Sequence, residues 1–107
     1  ENPEMVDVPV SLLHPDHYVL QVKGNSMIDE QIHDKDYIVA RKTNTARSGQ
    51  IVVALINGEA TLKYYVQGPG GVELHPRNPD FPIIKVDPKD DFHINGVLLY
   101  SFRNYLN

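Results

Sequence analysis

Two side chains in this sequence are of types that can do covalent chemistry together. Ser26 stands in the run Val22-Lys23-Gly24-Asn25-Ser26-Met27-Ile28-Asp29, a small polar turn led by glycine. Lys63 stands 37 positions later, inside the otherwise strand-like segment Gly58-Glu59-Ala60-Thr61-Leu62-Lys63-Tyr64-Tyr65. In a Ser-Lys dyad the hydroxyl is the nucleophile, and an uncharged amine replaces the histidine of the commoner triad as general base. A free lysine has a pKa of ~10.4 whereas a useful base wants roughly 7–8, so its charged form must be disfavoured by on the order of 4 kcal/mol. Desolvation against apolar neighbours supplies a shift of that size. The oxyanion formed on attack needs N–H donors, and the turn offers the backbone amides of Asn25 and Ser26. The reaction class that follows is acyl transfer on a peptide bond. Both residues also have an ordinary reading. A serine in such a turn commonly bonds its own backbone, and a strand lysine commonly covers apolar surface with its stem while its tip stays in water.

The lysine is positioned by a hairpin. Residues 50–56 and 59–65 flank Asn57-Gly58, the dipeptide preferred by a two-residue type I′ turn because both positions need positive φ. If Ile56 pairs with Glu59, Lys63 falls opposite Val52, with Ala54 and Thr61 as neighbours on its face. Those neighbours are small or apolar and favour the neutral amine. The serine is delivered by Tyr18–Val22, which reads as a strand, and is followed by Met27–His33, at most a helical turn, and by the tight turn Asp34-Lys35-Asp36. Further strands are expected at Tyr37–Arg41, Val72–His75, Ile83–Val86 and Phe92–Arg103, the last interrupted by a bulge or bend at Asn95-Gly96. Residues 1–17, with Pro3, Pro9 and Pro15, read as an extended lead-in with one short edge strand, closed by the turn His14-Pro15-Asp16-His17. Seven or eight short strands without a long amphipathic helix predict a mostly β fold, and 107 residues predict one domain, residues 1–107.

Composition narrows the function classes. Fourteen acidic against 10 basic side chains give a net charge of −4, and the nearest approach to a basic cluster, Arg41, Lys42 and Arg47, reads as a solvated loop. A nucleic-acid surface on this piece is therefore not expected. With no cysteine there is neither a disulfide framework nor thiolate chemistry. The longest apolar run, Ile51–Ile56, is far short of the ~20 residues of a membrane span, so a soluble chain without membrane attachment is expected. His14, His17, His33, His75 and His93 are scattered without ligand spacing, and Asp34-Lys35-Asp36 lacks the further ligands of a calcium loop, so neither a metal nor a cofactor is expected.

Five runs in order carry a family resemblance: Val22–Asp29, Asp34–Ala40, Gly49–Lys63, Val72-Glu-Leu-His-Pro-Arg-Asn-Pro79 and Ile94-Asn-Gly-Val-Leu98. Over about Tyr18 to Arg103 the chain resembles the autoproteolytic domain of LexA-type repressors, a family that includes UmuD proteins and phage repressors. The resemblance implies the compact β fold of short twisted sheets shared with signal peptidases, Ser26 as nucleophile and Lys63 as neutral base. It implies an Ala-Gly bond in the protein's own upstream segment as substrate. It further implies homodimerisation through the last strand (Gly96, Val97, Leu98, Leu99, Tyr100, Ser101, Phe102, Arg103) and stimulation by the RecA filament in the cytoplasm during the DNA-damage response.

Two departures stand out. Lys35 occupies a position where the family commonly has glycine, a strained choice if φ is positive there. No Ala-Gly dipeptide occurs in the chain and no helix-turn-helix segment precedes Ser26. The sequence thus reads as the portion downstream of the scissile bond, with DNA contact left to an N-terminal domain outside it. Two alternatives share most of these features: a UmuD′-like accessory subunit of a translesion polymerase, and a dimerisation module in which the dyad is silent. A signal peptidase would share the dyad but would need a membrane anchor.

Overall fold

A computed structural model describes residues 3–5 and 14–105. Its strands are β1 (Glu4–Met5), β2 (His17–Gln21), β3 (Tyr37–Arg41), β4 (Ile51–Ile56), β5 (Glu59–Gly68), β6 (Gly71–His75), β7 (Ile84–Lys85) and β8 (Phe92–Phe102), with a 3-10 turn at Ile28–Glu30. The strands hydrogen-bond into one sheet of order β1-β2-β3-β8-β4-β5-β6-β7. All neighbours are antiparallel. The short strands therefore form one continuous ladder. Of the lead-in, β1 is an edge strand against β2, and residues 6–13 lie outside the described residues.

The Asn57-Gly58 hairpin takes the form its dipeptide dictates. Asn57 and Gly58 have φ of 51° and 84°, the two positive values a type I′ turn needs. The register follows, with Ile56 opposite Glu59, Ala54 opposite Thr61 and Val52 opposite Lys63. Beyond the part paired with β4, β5 continues to Gly68 and turns back through Gly71 into β6.

Strand β8 joins the two halves of the sheet. Its first half pairs with β4 and its second with β3. Two registers slip along it. Asn95 is skipped between the pairs Ile94–Ala54 and Gly96–Val53, where the sequence predicts a bend, and Leu99 is skipped between Leu98–Ala40 and Tyr100–Val39. At the first slip the Tyr18 hydroxyl donates to the Asn95 carbonyl at 2.9 Å. It occupies the space a side chain at residue 96 would need, since a Cβ there would lie 2.3 Å from that oxygen. Burial of the phenol pushes its pKa up to about 12.

Apolar side chains collect on both faces of β4, because a strand sends successive residues to opposite sides. Val53 packs with Leu20, Val22, Met27, Ile32, Ile38 and Leu62 in one cluster. Val52 and Ala54 pack with Tyr65, Leu74, Ile94 and Val97 in the other. Lys63, opposite Val52, is thereby sent to the second face, into surroundings the hairpin makes apolar.

Candidate active site

The two residues singled out by type are brought into contact. Lys63 Nζ lies 2.9 Å from Ser26 Oγ. Both are buried, at 4% exposure each. The amine also lies 2.7 Å from Thr61 Oγ1 and donates to the Leu62 carbonyl at 3.1 Å. Thr61 sits two residues before Lys63 on the same face of β5, so strand alternation alone aims its hydroxyl at the amine. The sequence reading placed Thr61 beside the lysine but did not give its hydroxyl a part.

Ser26 and Met27 are the central residues of a turn closed by the Ile28 amide donating to the Asn25 carbonyl at 3.2 Å. Gly24, at φ 84°, lets the chain leave β2 and enter that turn. From one side the turn is tied to the Asp34–Asp36 loop. The Gly24 amide donates to Asp34 Oδ1 at 2.7 Å, and the Asp34 amide donates back to Asn25 Oδ1 at 2.9 Å. Lys35, at φ 72°, gives its amide to the Val22 carbonyl. The strained lysine anticipated from the family's glycine is therefore present. Asp36 is almost fully enclosed, with 3% of its side chain exposed, and Arg103 grips it with Nε and Nη2. That guanidinium, helped by the His33 amide and opposed by burial, holds the Asp36 carboxyl below the usual carboxylate range.

From the other side the turn is held by residues 77 and 78, which the sequence reading did not assign to the site. The Arg77 amide donates to the Ser26 carbonyl at 2.7 Å, the Asp29 amide donates to the Arg77 carbonyl at 2.7 Å, and Asn78 Nδ2 donates to the Asn25 carbonyl at 2.9 Å. The Arg77 guanidinium lies 3.8 Å above the centre of the Tyr64 ring and 3.2 Å from Glu30. This segment is thus pinned to β5 as well as to the 3-10 turn. Of the two amides expected to hold an oxyanion, Asn25 and Ser26, neither donates to another group among the described residues.

A cleft of about 190 Å³ opens beside Lys63, lined by Glu59 and Thr61 of β5 and by Ile56, Phe81, Pro82 and Ile84. Hollows of about 330 and 460 Å³ elsewhere are larger but border neither Ser26 nor Lys63. The lysine, not the volume, marks the cleft. The residues expected to form a dimer strand, Gly96–Arg103, lie in and just after β8. Leu99, Tyr100 and Phe102 are 41%, 53% and 44% exposed. The Arg103 side chain is directed to Asp36.

Comparison with known proteins identifies the family. The sequence pattern of the family described as peptidase S24-like matches residues 1–99. The chain is 45% identical over 107 residues to the LexA repressor of Syntrophotalea carbinolica, which covers 98% of this chain and 52% of that protein. The corresponding values for the LexA repressor of Erythrobacter litoralis are 43% over 107 residues, 98% and 46%. For that of Pseudothermotoga lettingae they are 45% over 109 residues, 98% and 54%. The chain spans about half the length of the curated relatives it matches. Since the family's pattern runs along nearly the whole sequence, the chain belongs to the peptidase S24-like family, in its LexA type.

Proposed function

We propose that this chain is a single-domain peptidase portion of a repressor of the SOS response, and that it cleaves an Ala-Gly bond in its own upstream segment. The observation that carries the reading is the buried 2.9 Å approach of Lys63 Nζ to Ser26 Oγ. Removing an amine from water disfavours its protonated form, which is what a general base requires. The Ser26 hydroxyl, the Thr61 hydroxyl and the Leu62 carbonyl all lie within hydrogen-bond distance of the amine, and in its neutral form the amine has a lone pair with which to take the Ser26 hydroxyl proton.

The steps then balance. Lys63 takes the hydroxyl proton as Ser26 Oγ bonds to the alanine carbonyl carbon, and the oxyanion is held by the Asn25 and Ser26 amides. Collapse breaks the C–N bond, and Lys63 returns its proton to the departing glycine amine. Water, deprotonated in turn by Lys63, hydrolyses the acyl ester. The cleft beside Lys63 receives an apolar substrate side chain. Homodimerisation through Gly96–Arg103, stimulation by the RecA filament, a cytoplasmic setting and DNA contact through a domain N-terminal to this one belong to the same reading. The exposed Leu99, Tyr100 and Phe102 support the dimer.

The test is cleavage in trans of a peptide carrying an Ala-Gly site, between about pH 6 and 10.5, which spans the tuned and free lysine values. Cleavage that rises with pH and vanishes in both Ser26→Ala and Lys63→Ala is expected. A folded dimer that cleaves at no pH would shift the function to a dimerisation or polymerase-accessory module.

A further inference from the structure

We infer that Asn78 is a positioning residue that aims the Ser26 amide at the oxyanion, an assignment that rests on the peptidase reading. The Asn25 carbonyl and the Ser26 N–H belong to the same planar unit and, in a trans peptide, point in opposite directions. Fixing the carbonyl therefore fixes the amide. The Asn25 carbonyl accepts from two donors, the Ile28 amide at 3.2 Å and Asn78 Nδ2 at 2.9 Å. The first belongs to the turn itself and moves with it. The second comes from 53 residues away and ties the plane to a separate part of the fold.

Asn78 is built to hold that contact. It opens a turn in which the Phe81 amide donates to its carbonyl at 3.1 Å, with Pro79 in the position whose φ proline presets. Its Oδ1 accepts the Asp80 amide at 2.9 Å, which consumes the acceptor end of the side chain and turns the NH₂ toward Asn25. A pinned side chain loses little freedom in making its second bond. The same segment fixes the next plane too, since the Arg77 amide binds the Ser26 carbonyl at 2.7 Å. The side-chain bonds of Asn78 go to Asn25 and Asp80, so its influence on the serine runs through the amide.

Two variants separate aiming from folding. In Asn78→Ser a short hydroxyl keeps the acceptor that a turn of this kind uses, stays neutral, and cannot reach the Asn25 carbonyl. In Asn78→Ala both bonds are gone. If Nδ2 aims the amide, both variants lose kcat equally, by about 10- to 100-fold, somewhat less than outright removal of an oxyanion donor. KM and the midpoint of the pH–rate profile stay at their wild-type values, because substrate contacts and Lys63 are untouched. The Ser26 amide resonance moves in both. Thermal stability falls more in Asn78→Ala than in Asn78→Ser, so an activity that tracks stability across the pair would overturn the assignment. Wild-type kcat in Asn78→Ser, or a loss appearing in KM or as a moved pH midpoint, would do the same. Should neither variant fold, the scalar coupling across the hydrogen bond from Asn78 Nδ2 to the Asn25 carbonyl carbon in the wild-type protein decides, and its absence overturns the inference. A wild-type chain that cleaves nothing removes the peptidase reading and this assignment together. An active wild type with equally active variants removes this assignment only.

Discussion

Replacing Lys35 by glycine should stabilise the protein, although it deletes a charged side chain from the surface. Lys35 is exposed and sits at φ 72° in the loop that ties down the serine turn. Its backbone cannot relax without cost, because its amide binds the Val22 carbonyl at 2.8 Å and its neighbour Asp36 gives its carbonyl to the Val22 amide at 2.8 Å. A residue with a Cβ pays about 1–2 kcal/mol in this conformation. Glycine escapes that strain but brings back about 0.4–1 kcal/mol of unfolded-chain entropy. The difference leaves Lys35→Gly more stable by about 0.5–1 kcal/mol, or about 2–8 °C in Tm for a domain of this size. Asparagine, which tolerates the left-handed region, should fall between glycine and lysine. Lys35→Ala keeps the strain and loses only the charge, so it should melt at or slightly below the wild type. Urea denaturation, with the midpoint moving at constant slope, gives the ranking Gly, Asn, then Lys and Ala together. An alanine variant as stable as the glycine variant would show that the charge, not the backbone, was responsible. A destabilised glycine variant would refute the strain argument altogether.

Three further outcomes follow from the structure. The Asp36 carboxyl is held below its ordinary value by Arg103. Its contribution to stability is therefore complete above the unfolded-state pKa of ~3.9 and is lost as the pH falls through the lower folded value. Arg103→Met should be less stable than wild type at neutral pH and converge with it in strong acid, and denaturation curves that stay parallel would contradict the pairing. Gly96→Ala places a methyl 2.3 Å from the Tyr18 hydroxyl. It should cost about 1–3 kcal/mol and let the phenol titrate nearer its ordinary value than about 12, read by ultraviolet titration. Tyr18→Phe in the same chain should recover part of the stability, and an unmoved titration would show that the ring is not displaced. Tyr100→Asp introduces a charge at a 53% exposed position of β8. If the chain pairs through β8 as proposed, the wild type should sediment as a dimer and this variant as a monomer at the same concentration, and equal profiles for the two would contradict that surface.

The sequence made legible whatever depends on neighbouring residues. Asn57-Gly58 demands two positive φ values, that demand sets the turn, and the turn sets Val52 opposite Lys63. The limits of β3, and those of β4 to within one residue at its start, follow from runs of β-branched and apolar residues bounded by polar turns. The placement of β8 between β3 and β4 was not legible, because the order of strands depends on contacts between residues far apart in the chain. Nor was the slip at Leu99, which has none of the Asn-Gly signal that marks the slip at Asn95.

The site shows the same division in sharper form. Lys63 is placed by a local rule, the alternation of a strand from a defined turn. Ser26 is placed by no periodicity at all. Its turn hangs between Asp34 on one side and residues 77 and 78 on the other, through bonds that join irregular backbone over nine to 53 positions. Sequence patterns record strands because their side chains alternate, whereas a turn held by single distant hydrogen bonds leaves only isolated polar residues, each of which resembles an ordinary loop former. The family resemblance included Pro76-Arg77-Asn78-Pro79 without giving it a task. In the structure it holds the serine turn: Lys63 is carried by the hairpin, whereas Ser26 is carried by a turn bonded to Arg77 and Asn78. Substitutions in Asp34 or Asn78 should therefore disturb the serine while leaving the lysine's surroundings intact.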